Sequence, residues 1–312
     1  MVWGNPEEES GVQGELVSAL NDAKLAQNAQ DKLRYLEAAA EIMLHRDVSL
    51  LEVYRDDIVA LQVDPESKVR RFLAGLVESA CKLEDARQLD RMAVYLPVVV
   101  NIASNDSALG VLKKCIIVCN NLYRRALARV VSSQPNEATL KVASVLPRII
   151  SALRDLIAHD DMQVCLAAVR AMETTILSGM RSEKALDPRR RGIGVGGGAD
   201  AFSLDDVPQN HPHVIAASMG EEAASTLGAL CERAAQVAAH CADDIPKESQ
   251  QFLQQCVNTF AALAINREAA RTACCGALAD IISRVNADAR RYKALAKTVE
   301  QKVIAMLKVL SG

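Results

Sequence analysis

The fold is decided by the stretch DPESKVRRFLAGLVESA, residues 64–80, which has the pattern of one amphipathic helix. Asp64 is a candidate N-cap, and the proline and glutamate that follow it are favoured in a first helical turn. Apolar residues recur at spacings of three and four, which places them on one side of a helix. They are Val69, Phe72, Leu73, Leu76, Val77 and Ala80. The stretch therefore predicts a helix that begins after an acidic cap and buries one face.

The same pattern returns twice further along the chain. Acidic caps at residues 105–106 and 159–161 each precede another long apolar stripe. Aligned on Val69, Leu112 and Val164, the repeats are 43 and 52 residues apart. HEAT and armadillo repeats are about 40–47 residues long and contain two or three helices each. The spacing therefore predicts an all-α, HEAT/armadillo-like α-solenoid, a right-handed superhelical stack of about six to seven antiparallel helix pairs.

Composition supports this fold class and argues against a polyelectrolyte binder, a membrane protein and a secreted protein. Hydrophobic residues make up 50% of the chain and aromatic residues only 3%, so the core is built from small aliphatic side chains that suit close-packed helices. The net charge of -3 does not favour a polyelectrolyte binder. No apolar run is long enough for a membrane span, and the first residues lack the apolar core of a secretory signal. Nine cysteines, an odd number, favour a reducing compartment.

The helical pattern predicts one domain with one interruption. We expect residues 1–12 to be a flexible tail and residues 13–312 to be a single HEAT-repeat domain. A long loop at 181–212 interrupts the repeats because its glycine tract cannot form a stable helix. We expect the front of this loop to be mobile and its rear half to be ordered against the array. The residues expected to hold this rear half in place are Phe202, Leu204, Asp205, Pro208, His211 and Pro212.

Two features of the loop suggest functions of their own. Gly192, Gly194 and Gly197 have G-x-G-x-x-G spacing, but no strand precedes them and no Walker lysine follows, so a flexible linker is the better interpretation. Arg189, Arg190 and Arg191 form a basic patch that is suited to RNA phosphates or to nuclear import. A solvated loop would carry the same residues, and no aromatic platform for bases accompanies them.

No catalytic or metal-binding pattern is present in the sequence. Cys115 and Cys119 are one helical turn apart and Cys274 and Cys275 are adjacent, but neither pair has a partner pair at zinc spacing. No nucleophile elbow, paired carboxylate or Cys/His constellation stands out. The sequence therefore predicts a protein that is not an enzyme and that needs no cofactor or metal.

Two repeat helices have distinctive sequences, SKVRRFLAGLVESACK at residues 67–82 and LKKCIIVCNNLY at residues 112–123. They resemble the repeat helices in the N-terminal domain of the symplekin family and its yeast counterparts. The most specific likeness is segment 202–212, in which Ser-Leu-Asp, a proline and His-Pro occur in that order before a Glu pair. The resemblance runs from about residue 16 to 310. It departs in the arginine run and glycine tract at 189–198 and in the alanine-rich second half.

This resemblance implies a HEAT-repeat scaffold of the nuclear pre-mRNA cleavage and polyadenylation machinery. Family members bind the phosphatase of the RNA polymerase II C-terminal domain through a concave face, where a basic residue is central. Arg170 occupies the matching position here, and Glu173 follows one turn later. Repeat alignment places Asn121 at the position of Glu173, with Lys114 and Arg125 as further candidates on the neighbouring helix. A solvated helix edge would also carry such residues.

The expected partners are this phosphatase and other cleavage and polyadenylation factors, with RNA as a weaker candidate and no membrane. The expected location is the nucleus, with a cytoplasmic fraction allowed. One alternative is an armadillo/importin-like adaptor for extended peptides, although such proteins need Trp and Asn rows and the single Trp3 lies outside the repeats. The other alternative is an RNA-binding helical array that uses the basic loop.

Overall fold

The structure is a computed structural model, and it describes residues 6–182, 202–239, 246–287 and 293–310. Within these residues the regular structure is helical and no strand occurs. The all-α class predicted from apolar spacing is therefore confirmed. In the same part of the chain, no helix combines the length and apolarity needed to cross a bilayer.

The chain divides into two compact units, Met1–Val118 and Cys119–Gly312, and each is described separately. The boundary falls inside the seventh helix, Leu109–Ser132. The prediction of one continuous domain over residues 13–312 stays a prediction. The first helix begins at Pro6, so residues 6–12 of the expected tail are helical.

The first unit contains α1 to α6 and the beginning of α7. Their bounds are Pro6–Leu25 for α1, Ala29–Glu41 for α2, Leu50–Val53 for α3, Arg55–Ala60 for α4, Ser67–Lys82 for α5, Gln88–Asn105 for α6 and Leu109–Ser132 for α7. Helix α2 packs on α1 and on α5, and α5 packs on α6. Most of the predicted stripe of α5 is buried, whereas Phe72 is only half-buried.

The predicted acidic caps recur with one geometry. Asp64, Asp106 and Asp161 each accept a hydrogen bond from the backbone N–H two residues further along the chain, at 2.9, 2.8 and 2.8 Å. Asp161 is the N-cap of its helix, whereas α5 begins only at Ser67, so Asp64 shapes the turn before that helix. An aspartate in these positions satisfies backbone donors that a helix start leaves unpaired.

In the second unit, the described residues form the rest of α7 and six further α-helices. They are α8 Glu137–Ile157, α9 Met162–Gly179, α10 Ala216–Ala239, α11 Lys247–Asn266, α12 Arg271–Ala287 and α13 Lys293–Leu310. Helices α8, α10 and α12 contact one another in that order, and so do α9, α11 and α13. Consecutive helices also pack together, so the unit has two layers, as an array of HEAT-like helix pairs requires.

Helices α9 and α10 approach closely at Gly179, the last residue of α9. A Cβ atom at Gly179 would lie 2.7 Å from the Cβ of Ala223 and 2.9 Å from the carbonyl oxygen of Met219. Both distances are shorter than carbon and oxygen atoms tolerate, so glycine is required at this position.

Candidate partner-binding face

Arg170 and Glu173 lie on α9, on the side that adjoins α11. Helix α9 begins at its Asp161 cap, whose side chain accepts from the N–H groups of Gln163 and Val164. The residues that α9 turns inward are buried: Val164, Cys165, Ala168, Val169, Met172 and Ile176. Because these positions define the buried face, Arg170 is left exposed at the helix edge.

A short chain of polar contacts joins α9 to α11 at this point. Thr259 is fully buried and donates a hydrogen bond to Glu173 Oε2 at 2.6 Å. Gln255 Nε2 lies 3.4 Å from Thr259 Oγ1, and Gln255 Oε1 lies 3.5 Å from Arg170 Nε. The bond to Glu173 is short and sheltered, whereas the contact at Arg170 is at the limit of hydrogen bonding. Glu173 is therefore held in the fold and Arg170 is only loosely restrained.

Arg170 is a cation without an ionic partner in its surroundings. Among the described residues, no carboxylate lies within ion-pairing distance of its guanidinium, and the amide of Gln255 is its hydrogen-bond partner. A guanidinium binds carboxylates and phosphates through two parallel hydrogen bonds. Arg170 is thus suited to an acidic group on another molecule.

The predicted residues of α7 have partners within the fold. Lys114 Nζ lies 2.7 Å from Glu78 Oε2, and its side chain is 26% exposed. Glu78 also pairs with Lys82, so this cluster joins α5 to α7 inside the first unit. Asn121 is exposed and Arg125 is half-buried, and both have interactions within the fold. Arg170 differs from Lys114 in that its side-chain contact is a long one to an amide and not an ion pair.

Sequence reasoning missed the α11 side of this face. After Glu248 the helix contains no charged residue, and its outward positions carry amides instead. These amides are Gln251, Gln254, Gln255 and Asn258. Gln254 Nε2 lies 3.4 Å from Thr298 Oγ1, which extends the polar band to α13. The spacing of three and four in QQFLQQCVN was the signal that could have identified the row.

The residues expected to hold the rear half of the 181–212 loop in place occupy the segment that leads into α10. Asp205 accepts a hydrogen bond from the backbone N–H of Ser182 at 2.8 Å, and Phe202 is buried. The His211 Nδ1 atom accepts from the N–H groups of residues 213 and 214. Leu204 is half-buried, and Pro208 and Pro212 are exposed. These contacts position the start of α10, and none of them places a residue of the segment on the α9–α11 face.

The predicted basic patch of Arg189, Arg190 and Arg191 lies outside the described residues, so its role stays a prediction.

Within the described ranges, no group of three or more His, Cys, Asp or Glu residues is arranged to hold a metal ion. Burial raises the pKa of the Cys119 thiol to about 12, so this residue is a core side chain and not a thiolate nucleophile.

Paired helices stacked in two layers, with one layer exposing a polar band, define the class of HEAT-like helical-repeat scaffolds. A model of the family described as Symplekin/PTA1 N-terminal matches residues 108–308, well over half of the chain. The chain therefore belongs to the symplekin/PTA1 N-terminal family. This match confirms the resemblance predicted from residues 112–123 and from segment 202–212, whereas the helix at 67–82 lies outside the matched residues.

Membership of this family defines the general role of the chain. It is a scaffold in mRNA 3′-end processing, with protein partners in the processing complex. Arg170, Glu173 and the amides of α11 all lie within the matched residues.

Two solved structures of engineered proteins from the Northeast Structural Genomics Consortium are also similar to the chain. One has a TM-score of 0.48 at 15% sequence identity and covers 95% of this chain and 99% of its own. The other has a TM-score of 0.29 at 12% identity, with 95% and 82% covered. Because both TM-scores lie below 0.5, neither likeness carries an argument about this fold.

Proposed function

We propose that this chain is a non-enzymatic scaffold that binds the RNA polymerase II C-terminal-domain phosphatase through the α9–α11 face. We expect this face to be the concave one of the solenoid. The observation that carries the proposal is Arg170, an exposed cation with no carboxylate partner among the described residues, inside the region that matches the family. Its charge suits an acidic residue on the partner.

The surroundings of Arg170 also favour a binding role. Thr259 holds Glu173 by a hydrogen bond, so the face presents a fixed carboxylate one helical turn from the exposed guanidinium of Arg170. A partner carboxylate that takes both guanidinium hydrogen bonds would replace only the long contact to Gln255. Loss of such an anchor costs about 2 kcal/mol or more of binding free energy.

The test is a calorimetric titration of the chain with the phosphatase. We expect Arg170→Ala to weaken binding at least about tenfold, which corresponds to 1.4 kcal/mol. Arg170→Lys should recover binding only in part, because an ammonium cannot form the two parallel bonds. The matched control is Arg284→Ala, which removes an exposed arginine from α12 in the other layer.

The outcomes separate the parts of the proposal. Binding that is unchanged in Arg170→Ala, in a protein that melts at the wild-type temperature, would move the contact away from α9. Equal losses in the two alanine variants would indicate a general charge effect. Absence of binding by the wild-type chain would remove this phosphatase as the partner.

We also propose a nuclear location and further partners among the cleavage and polyadenylation factors, in line with the family's role. A fluorescent fusion tests the location, and alanines at Arg189, Arg190 and Arg191 test whether the basic patch directs import. Nuclear exclusion of the wild-type fusion would contradict this proposal.

The amide row on α11 favours a second candidate function, an armadillo/importin-like adaptor for extended peptides. An amide side chain donates and accepts hydrogen bonds, so a row of amides can pair with the main chain of a peptide. The variant that combines Gln254→Leu with Asn258→Leu removes the central amides while keeping similar side-chain volume. Loss of binding to a lysine-rich, unstructured 12-residue probe peptide in this variant would favour the adaptor, and absence of binding by the wild-type chain would argue against it.

A further inference from the structure

A cavity of about 220 Å³ lies in the first unit, among α1, α2, α4 and α5. Its residues belong to a part of the chain that precedes the family match, and none of them contributes to the α9–α11 face. The side chains that form its apolar wall are Leu20, Leu36, Met43, Ile58, Leu61, Phe72 and Leu76. Most of these are buried in the fold, whereas Leu61 and Phe72 are half-buried.

The polar part of the lining consists of two ion pairs. Lys24 Nζ lies 2.8 Å from Asp57 Oδ1, and the two side chains are 64% and 41% exposed. Lys32 pairs with Asp64, and these side chains are much less exposed. Asp64 is further held by the backbone N–H of Glu66 at 2.9 Å. An exposed ion pair contributes little stability, so the Lys24–Asp57 side can open, whereas the Lys32–Asp64 side is fixed.

The lining determines what can enter. The cavity is open to solvent on the side of Lys24 and Asp57, and its apolar wall lies deeper, among side chains that are mostly buried. An apolar wall offers water few hydrogen-bond partners, so an apolar group that displaces the water there gains affinity. The volume of about 220 Å³ has room for a group larger than benzene, since engineered cavities of about 150 Å³ bind benzene. A charged ligand would have to separate a lysine from its aspartate, because both positive charges at the lining are already paired.

We propose that this cavity is a binding site for one uncharged aromatic or branched aliphatic group. The group enters past Lys24 and Asp57 and contacts Met43 and Phe72. The same chemistry is available as a free small molecule or as one apolar side chain of a bound protein segment, which would then be an anchor of the kind that dominates binding energy in interfaces.

The test uses the whole chain with isotope-labelled methionine methyl groups. The Met43 signal is assigned by comparison with Met43→Leu, a substitution that conserves volume. Indole, titrated to its solubility limit, should shift this signal saturably, whereas benzoate should not. N-acetyl-tryptophanamide distinguishes the two sources: a shift at least as strong as that of indole indicates a side chain, and a weaker one indicates a free molecule.

The Ala39→Leu variant tests whether the cavity exists. Ala39 on α2 lines the cavity and is fully buried, so Ala39→Leu should fill the void, raise the melting temperature and abolish the indole response. Ala74→Leu is the matched control, since Ala74 is equally buried but lies outside the cavity, and it should lower the melting temperature.

Three results would overturn the inference. If Ala39→Leu destabilises as much as Ala74→Leu, the space is not there. If Ala39→Leu stabilises the protein but indole leaves the Met43 signal unchanged, the cavity exists and is not a binding site. If benzoate shifts the signal as strongly as indole, the ligand is not restricted to uncharged groups.

Discussion

Arg70 on α5 forms a two-pronged ion pair with Asp106, the residue that shapes the turn before α7. Arg70 Nε lies 2.5 Å from Asp106 Oδ2, and Arg70 Nη2 lies 3.0 Å from Oδ1. The same carboxylate accepts the backbone N–H of Ala108. One repeat earlier, Lys32 pairs with Asp64 in the equivalent position. In the first unit, a cation near the start of one helix therefore binds the aspartate in the turn before a later helix, which joins successive repeats through polar contacts.

Removal of the Asp106 carboxylate should lower the stability of the protein. Asp106→Ala leaves the Arg70 guanidinium, which is 18% exposed, without its partner and leaves the N–H of Ala108 unsatisfied. Because a buried ion pair broken on one side leaves an uncompensated charge, we expect a loss of about 3 kcal/mol in the free energy of unfolding. Urea unfolding of both proteins measures the difference.

The control for this prediction is Glu137→Ala. Glu137 pairs with Lys141 at 2.6 Å, but both side chains are exposed, so its removal should leave the urea midpoint unchanged. Equal effects of the two substitutions would show that the Arg70–Asp106 pair contributes no more than a surface pair.

The same pair should make stability depend on pH. Hydrogen bonds from Arg70, reinforced by the Ala108 N–H, hold the pKa of Asp106 below its usual value. A carboxylate whose pKa is depressed by folding stabilises the protein above its unfolded pKa, about 3.9, and this contribution is lost as the pH falls through the lower folded pKa. We therefore expect the stability difference between wild type and Asp106→Asn to be constant near neutral pH and to shrink below about pH 4. Urea midpoints measured across the acid range test this, and a difference that grows towards low pH would contradict it.

Two glycines in the second unit should respond in opposite ways to alanine. At Gly179 the added Cβ would meet the Cβ of Ala223 and the backbone of Met219, so we expect Gly179→Ala to destabilise the protein by about 1–3 kcal/mol. At Gly228, on the exposed side of α10, nothing lies within 4 Å, and alanine should stabilise the helix by about 0.5–1 kcal/mol. Thermal melts of the two variants should shift in opposite directions, and a stabilised Gly179→Ala would show that α9 and α10 do not approach closely.

The cysteines should differ strongly in reactivity. Burial raises the pKa of Cys81, Cys119 and Cys274 to about 12, whereas Cys275 is exposed. Because the thiolate is the reactive form, iodoacetamide at pH 8 should modify Cys275 at least about a hundredfold faster than the buried thiols. Peptide mapping of a Cys241→Ser variant measures the rates without a contribution from Cys241. Rapid modification of Cys119 or Cys274 in the folded protein would mean that those helices open readily.

The local elements of the fold could be predicted because their causes are local. Apolar spacing in 64–80 specifies one helix with one buried face, and the structure has α5 at Ser67–Lys82 with most of that face buried. The acidic residues that precede the repeat helices act on backbone donors two residues away. Such interactions depend on the identity of neighbouring residues alone, so the sequence is sufficient to indicate them.

The candidate site could be predicted only in part. Arg170 and Glu173 were indicated by resemblance, but their contacts to Gln255 and Thr259 join positions 85 and 86 residues apart. Arg267 is a second residue whose partner could not be predicted from the sequence. It is almost fully buried and donates to the Leu177 carbonyl at the end of α9, 90 residues away, through its Nη2 at 2.6 Å. Nothing in the residues around Arg267 indicates that it satisfies a helix end, because that partner is supplied by a different repeat.

By itself, the sequence determined the helical class and the repeat architecture, because side-chain periodicity and capping operate within a few residues. It also indicated the family, through the resemblance of particular segments such as 202–212. Only the tertiary structure decided that no described carboxylate pairs with Arg170, that Glu173 is held by Thr259, and that the first unit has an apolar cavity beside Phe72. These features depend on how closely and at what angle helices stack. Helix stacking results from the packing of many side chains at once, so the sequence of one segment does not specify its geometry.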